Sequence, residues 1–183
     1  MKQLILLAAC AALGACNKGP EVHAENASVA EVAKKVQATG AAQSFVRPGL
    51  WQSKITIEQL EMPGMPPDMA QRMKTMMADR QAQDFETCLT ADDVARPKED
   101  FFAGGNNSCR YEHFTMGDGK IDAVMHCGKD QGTQTMKMAG TYSPDSYALR
   151  MANSFQSSNA QPAMQMQMRV DAHRVGECPA KKG

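Results

Sequence analysis

The sequence predicts a mainly β protein: an antiparallel meander forming a strongly curved sheet or a small barrel, with one Met-rich helix and an N-terminal helix. Three observations carry this reading. Residues from Cys109 onward fall into consecutive alternating segments separated by strong turn signals, Gly117-Asp118-Gly119 and Ser143-Pro144-Asp145-Ser146. The last segment, Met164 to His173, alternates regularly, with Met164, Met166, Met168 and Val170 on one face and Gln165, Gln167, Arg169 and Asp171 on the other. Helical periodicity is confined to two stretches upstream of these hairpins. At 183 residues, one domain is the expected organisation.

Taken in order, residues 1–15 read as a signal peptide. Lys2 supplies the positive start and Leu4 to Leu13 a short apolar run, too short for a permanent membrane span. The run ends Leu13-Gly14-Ala15-Cys16, which resembles the lipobox of bacterial lipoproteins, where a peptidase cuts before a cysteine that carries acyl chains. Cys16 is the expected lipidation site. Leu7-Ala8-Ala9-Cys10 fits the same pattern, but cutting there leaves too short an apolar run. Residues 16–27 read as a polar tether from the membrane. Asn17, in the position after the lipidated Cys, points to the outer membrane, facing the periplasm.

Residues 28–40 read as an amphipathic helix. Ser28 and Glu31 form a capping box, Val29, Val32, Ala33 and Val36 line one face, and Gly40 ends it. Residues 45–180 read as a single β-rich, disulfide-bonded domain. Its first strand carries Trp51, Ser53, Ile55 and Ile57 on one face. Met62-Pro63-Gly64-Met65-Pro66-Pro67 is a rigid turn, and Asp68 to Arg80 a helix with Asp68 as N-cap and Met69, Met73, Met76 and Met77 on one side. A short strand from Asp84 to Leu89 leads to a turn of helix, Ala91 to Ala95, capped by Thr90 and stopped by Pro97. Phe101 to Ser108 reads as a loop. Strands follow at Cys109–Met116, Lys120–Cys127, Thr133–Tyr142, Tyr147–Phe155 and Met164–His173, with a polar loop over Asn153–Pro162.

Removing Cys10 and the lipidated Cys16 leaves Cys88, Cys109, Cys127 and Cys178. Four cysteines in an oxidising compartment read as two disulfides. Cys88–Cys109 with Cys127–Cys178 is the favoured pairing; Cys109–Cys127 across a hairpin with Cys88–Cys178 is the rival. The crosslinks matter because the core is thin in branched residues. There are 8 Leu, 4 Ile, 9 Val and 6 Phe, while 15 Met supply apolar volume. The 20 basic and 20 acidic residues cancel, which argues against a nucleic-acid partner.

Several segments occur in a telling order: Pro48-Gly49-Leu50-Trp51, Met62-Pro63-Gly64-Met65-Pro66, Cys88-Leu89-Thr90, then Cys109, Cys127 and Gly176-Glu177-Cys178. In this they resemble a bacterial family of secreted proteins and lipoproteins classed as a domain of unknown function. Its members share a P-G-L-W-E start, a Met/Pro/Gly-rich stretch, a C-L-T box and a terminal G-x-C. The resemblance covers Arg47 to Cys178, with Gln52 standing where the family usually has Glu. It implies an extracytoplasmic location and a β-rich domain, and carries over no catalytic residue and no ligand.

No enzyme is expected. The sequence has no G-x-S-x-G elbow, no H-E-x-x-H and no phosphate-binding loop. The acids Asp92, Asp93, Glu99 and Asp100 read as caps and solvated groups, and no cofactor is expected. His113 and His126 share a hairpin without a completing carboxylate pattern. Trp51 reads as core. The expected function is a non-enzymatic binding or envelope-interaction module with Met-lined apolar faces. Its partners are the membrane, through the lipid anchor, and an apolar ligand or envelope protein. The alternative is a Cu(I)-binding or methionine redox-buffering protein using Met62, Met65, Met69, Met73, Met76 and Met77, because thioether sulfur is soft.

Overall fold

The computed structural model describes residues 19–81, 84–95, 108–129, 132–157 and 163–180. The expected signal peptide, Cys16 and most of the Phe101–Ser108 loop lie outside them. The chain runs β1 (Val22–Ser28), α1 (Val29–Thr39), α2 (Ala41–Phe45), β2 (Gly49–Glu61), α3 (Pro67–Gln81), β3 (Phe85–Leu89), α4 (Ala91–Ala95), β4 (Cys109–Gly117), β5 (Lys120–Lys129), β6 (Gly132–Ser143), β7 (Ser146–Ser157) and β8 (Met164–Gly176). The strands form one antiparallel sheet in the order β1-β4-β5-β6-β7-β8-β2-β3.

Of the two expected architectures, the curled open sheet is the one formed. Its edges, β1 and β3, are the shortest strands, at 7 and 5 residues. Short edges limit pairing with other chains. Register shifts at Tyr111/His113, Leu50/Trp51 and Ile57/Gln59 mark bulges, which add local bend and twist. The β4–β5 turn places Asp118 and Gly119 at φ 47° and 71°, the left-handed pair that matches strand twist.

The expected tether is corrected over its second half. Residues 22–28 are strand β1, which pairs with β4 from Val22↔Met116 to Ser28↔Arg110. Val22, Ala24 and Ala27 are buried, while His23 and Glu25 face solvent. The polar residues that suggested a tether include the wet side of an edge strand. The folded unit therefore begins at β1 rather than at residue 45.

Helix α1 forms as the sequence signals. The Ser28 hydroxyl accepts from the Glu31 N–H (3.2 Å), the Glu31 carboxylate accepts from the Ser28 N–H (2.7 Å), and Gly40 caps the far end at φ 70°. Its buried stripe, Val29, Val32, Ala33 and Val36, packs on β1 and β4 of its own domain. Helix α2 was not expected. It brings Phe45 against Tyr142 and Tyr147, at centroid distances of 5.1 and 5.4 Å, and Trp51 stacks on Tyr147 at 5.7 Å. Buried Trp51 donates its indole N–H to Arg47 O (3.0 Å), so the core reading of Trp51 holds. Helix α3 starts at Pro67, a favoured first helical residue, which puts Asp68 inside the first turn rather than at the cap. Strand β7 runs to Ser157, so Asn153 to Ser157 are strand rather than loop.

The disulfides are Cys88–Cys178 and Cys109–Cys127, the rival pairing rather than the favoured one. The reason lies in the ladder. Cys109 faces Cys127 directly across β4–β5, at a Cα separation of 4.0 Å. Leu50 pairs with Cys88 on one side and Gly176 on the other, so the chain end crosses β2 to reach Cys88. Gly49 permits that close approach. Its φ is 144°, and a Cβ there would stand 2.5 Å from Gly176 O.

Cys109 and Cys127 are buried at 2% and 7% exposure, whereas Cys88 is exposed. Under graded reduction, Cys88 and Cys178 should be alkylated before Cys109 and Cys127, as read by peptide mass mapping; the opposite order would contradict this arrangement. The first bridge spans 90 residues. Its removal by paired Cys→Ala changes should cost about 4–5 kcal/mol in urea unfolding.

Candidate functional site

The inner face of the sheet is ordered in cross-strand rows, because side chains alternate along each strand and register partners stand side by side. One row reads Ala24, Phe114, Ala123, Met138, Met151, Met168, Ile57. The next reads Tyr111, Met125, Met136, Asn153, Met166, Leu60. Beyond it lie Cys127, Gln134, Phe155 and Met164.

These rows are buried at one end and half-buried at the other. Over β1, β4 and β5 they are buried, with Tyr111, Phe114 and Met125 at 2% exposure or less, and α1 packs on β1 and β4. Over β6, β7 and β8, the residues Met136, Met138, Met151, Met164, Met166 and Met168 are only half-buried. The one polar break there is an amide pair, in which Gln134 Nε2 donates to Asn153 Oδ1 (3.0 Å). From β6 to β2 the face carries no charged side chain in these rows. It offers flexible thioethers that adapt their shape to an apolar surface.

The charges sit on the other face. Arg169 donates twice to Asp171, both bonds at 2.7 Å, and Arg150 stands 3.5 Å from Glu58. His113 and His126 share this outer face without joining each other. His113 Nε2 lies 2.6 Å from Asp122, and His126 bridges Glu112 (2.8 Å) and the Thr135 hydroxyl (3.1 Å). Among the described residues, no group of three or more His, Cys, Asp or Glu is placed to hold a metal ion.

The methionines of α3 and of the turn before it are spread between environments. Met62 is buried, Met65, Met73 and Met77 are half-buried, and Met69 and Met76 are exposed at 58% and 57%. Met125, in the sealed core, and Met151, on the methionine face, were both missed. The signal for Met151 was available: counting outward from the Pro144-Asp145 turn sets it opposite Met138. The expected acids Asp92 and Asp93 fall in α4, where the Asp93 carboxylate accepts from the Thr90 N–H (3.0 Å). Glu99 and Asp100 lie outside the described residues.

A curled antiparallel sheet, sealed by helices at one end of its inner face and lined by methionine at the other, defines the class of the protein. The chain belongs to the DUF3617 family of proteins of unknown function, whose family model matches residues 46–178. No curated protein and no solved structure matches it. Elements β1, α1 and α2 all precede the matched region, yet they contribute Val22, Val32, Val36 and Phe45 to the core.

Three surface carboxylates are held below their ordinary range. Hydrogen bonds to Ser28 depress Glu31, the His126 hydrogen bond depresses Glu112, and the Arg169 hydrogen bonds depress Asp171. Their folded pKa values lie below the unfolded ones. Their stabilisation is therefore complete above the unfolded carboxylate range and is lost as pH falls through the folded values. The urea midpoint should be flat near neutral pH and decline on acidification. Replacing Glu31 by Gln and Asp171 by Asn should weaken that decline. An acid limb identical to the parent's would show that these bonds do not govern it.

Proposed function

We propose that this chain is a lipid-anchored, periplasm-facing protein of the bacterial envelope that works as a non-enzymatic binding module. Its methionine-lined inner face engages an apolar ligand or an apolar segment of an envelope protein. One observation carries the reading: six half-buried methionines on three adjacent strands, in rows free of charge, opposite a face that carries the ion pairs. Apolar surface of this kind binds by area and shape and needs few directional contacts.

The anchor and the face are tested separately. Cys16→Ser should move the exported protein from the membrane fraction to the soluble fraction; persistent membrane association would remove lipidation at Cys16. N-phenylnaphthylamine, an apolar dye that brightens out of water, should fluoresce with the parent protein. Met168→Glu should abolish that signal by placing a charge in the row. Met69→Glu on α3 should leave it intact. Equal signals from all three proteins would sink the apolar-face reading.

The second reading is Cu(I) handling or methionine redox buffering by Met62, Met65, Met69, Met73, Met76 and Met77. The exposure of Met69 and Met76 favours the oxidation half of it, because accessible thioethers oxidise first. Peptide mapping after mild peroxide treatment should then find sulfoxide at these two positions ahead of buried Met62, Met116 and Met125.

A further inference from the structure

We propose that the sheet itself carries a soft-metal site centred on Met151, with Met138 and Met168 as its other ligands and Cu(I) as the ion. Met151 is the register partner of Met138 on one side and of Met168 on the other. Directly opposed residues hold their Cβ atoms about 4.5–5.5 Å apart. Methionine's three rotatable side-chain bonds let the outer two thioethers lean toward the central one. Met136 and Met166 both pair with Asn153, two residues along β7, so they stand diagonally beside Met151. Such diagonal neighbours lie about 7–8 Å apart, within reach of long side chains. Met151 thus has four methionine neighbours, two direct and two diagonal. Along one strand, by contrast, Met164, Met166 and Met168 are spaced at about 6.6–6.8 Å steps. The convergence comes from the register between strands.

The donor set selects the ion. Thioether sulfur is neutral and soft, and favours Cu(I) over hard or borderline cations. No carboxylate, imidazole or thiolate lies on these rows over β6, β7 and β8 to recruit zinc or calcium. The cystine sulfurs of Cys109 and Cys127 are taken up in their bridge. All three ligands are half-buried, so the ion can enter from solvent and a monovalent charge is not stranded in a dry core. The site lies on the face assigned to an apolar ligand but rests on cross-strand register alone, and either assignment can fail without the other.

The test is an anaerobic titration of the whole mature protein, disulfides intact, against Cu(I) held by the coloured chelator bicinchoninate. The parent protein should withdraw Cu(I), and X-ray absorption should show a sulfur-only first shell. Met151→Leu keeps the apolar volume and removes the donor. It should weaken Cu(I) binding by more than about tenfold. Met138→Leu and Met168→Leu give the same reading if the central variant misfolds, as judged by circular dichroism. Met69→Leu with Met76→Leu should bind Cu(I) as the parent does. Failure of the parent to withdraw Cu(I), or parent-like binding by the Met151, Met138 and Met168 variants, would overturn the site. Loss of binding in the Met69/Met76 variant alone would move the ion to α3 and equally overturn it.

Discussion

Everything inside this protein depends on the antiparallel register from β4 to β8, which is broken by a single bulge at Tyr111/His113 and runs unshifted from β5 to β8. Side chains alternate with a period of two, so a slip of one residue would turn an entire inner row to solvent. The fold pins that register at several points. The left-handed pair Asp118-Gly119 sets β4 against β5, and the Cys109–Cys127 bridge locks the same hairpin at its other end. The Ser143↔Ser146 pair closes the β6–β7 turn. Tyr142 and Tyr147, opposite each other one step inside that turn, are wedged by Phe45 and Trp51.

The scarcity of branched aliphatics explains how the rest is arranged. The sealed part of the core is built from alanines, valines, aromatics and two deeply buried methionines under α1 and α2. Burial of Tyr111 pushes its phenol up to about 12 and keeps it neutral. Away from the helices the sheet is covered lightly, and the crosslinks compensate. Cys88–Cys178 joins the edge strand β3, which buries almost nothing, to the chain end beyond β8. Arg174 reinforces the same corner by donating to Pro48 O (2.7 Å) and pairing with Glu177. Pro48 to Trp51, Cys88 to Thr90 and Gly176 to Cys178, far apart in sequence, meet at this corner. Their packing there explains the residue types: a glycine with no room for Cβ, and a cystine across the strand ends. None of these segments adds a reactive group to the inner face.

The elements visible in the sequence were those specified by local rules. The capping box of α1, the Thr90 cap of α4 and the two hairpin turns involve residues within a few positions of one another. Strand β1 was harder to see. Its alternation covers only Val22 to Glu25 before Asn26 turns to φ 47°, and it is stabilised by pairing with a strand more than eighty residues away. The disulfide pairing was illegible for the same reason. Cys88 meets Cys178 only because β8 lies beside β2, an order that the linear spacing of four cysteines does not encode.

The sequence by itself determined the β class and the alternation that sends Met164, Met166 and Met168 to one face of the last strand and Arg169 and Asp171 to the other. Period-two patterning and turn chemistry act over short distances, so a linear reading captures them. Only the tertiary structure decided that the sheet stays open, that β1 belongs to it, and which cysteines join. It alone decided that Met151 lies between Met138 and Met168. The Met138 contact follows from a two-residue turn. The Met168 contact depends on the register of β7 against β8, across a connection that no local rule measures, and that register is settled by packing across the whole inner face.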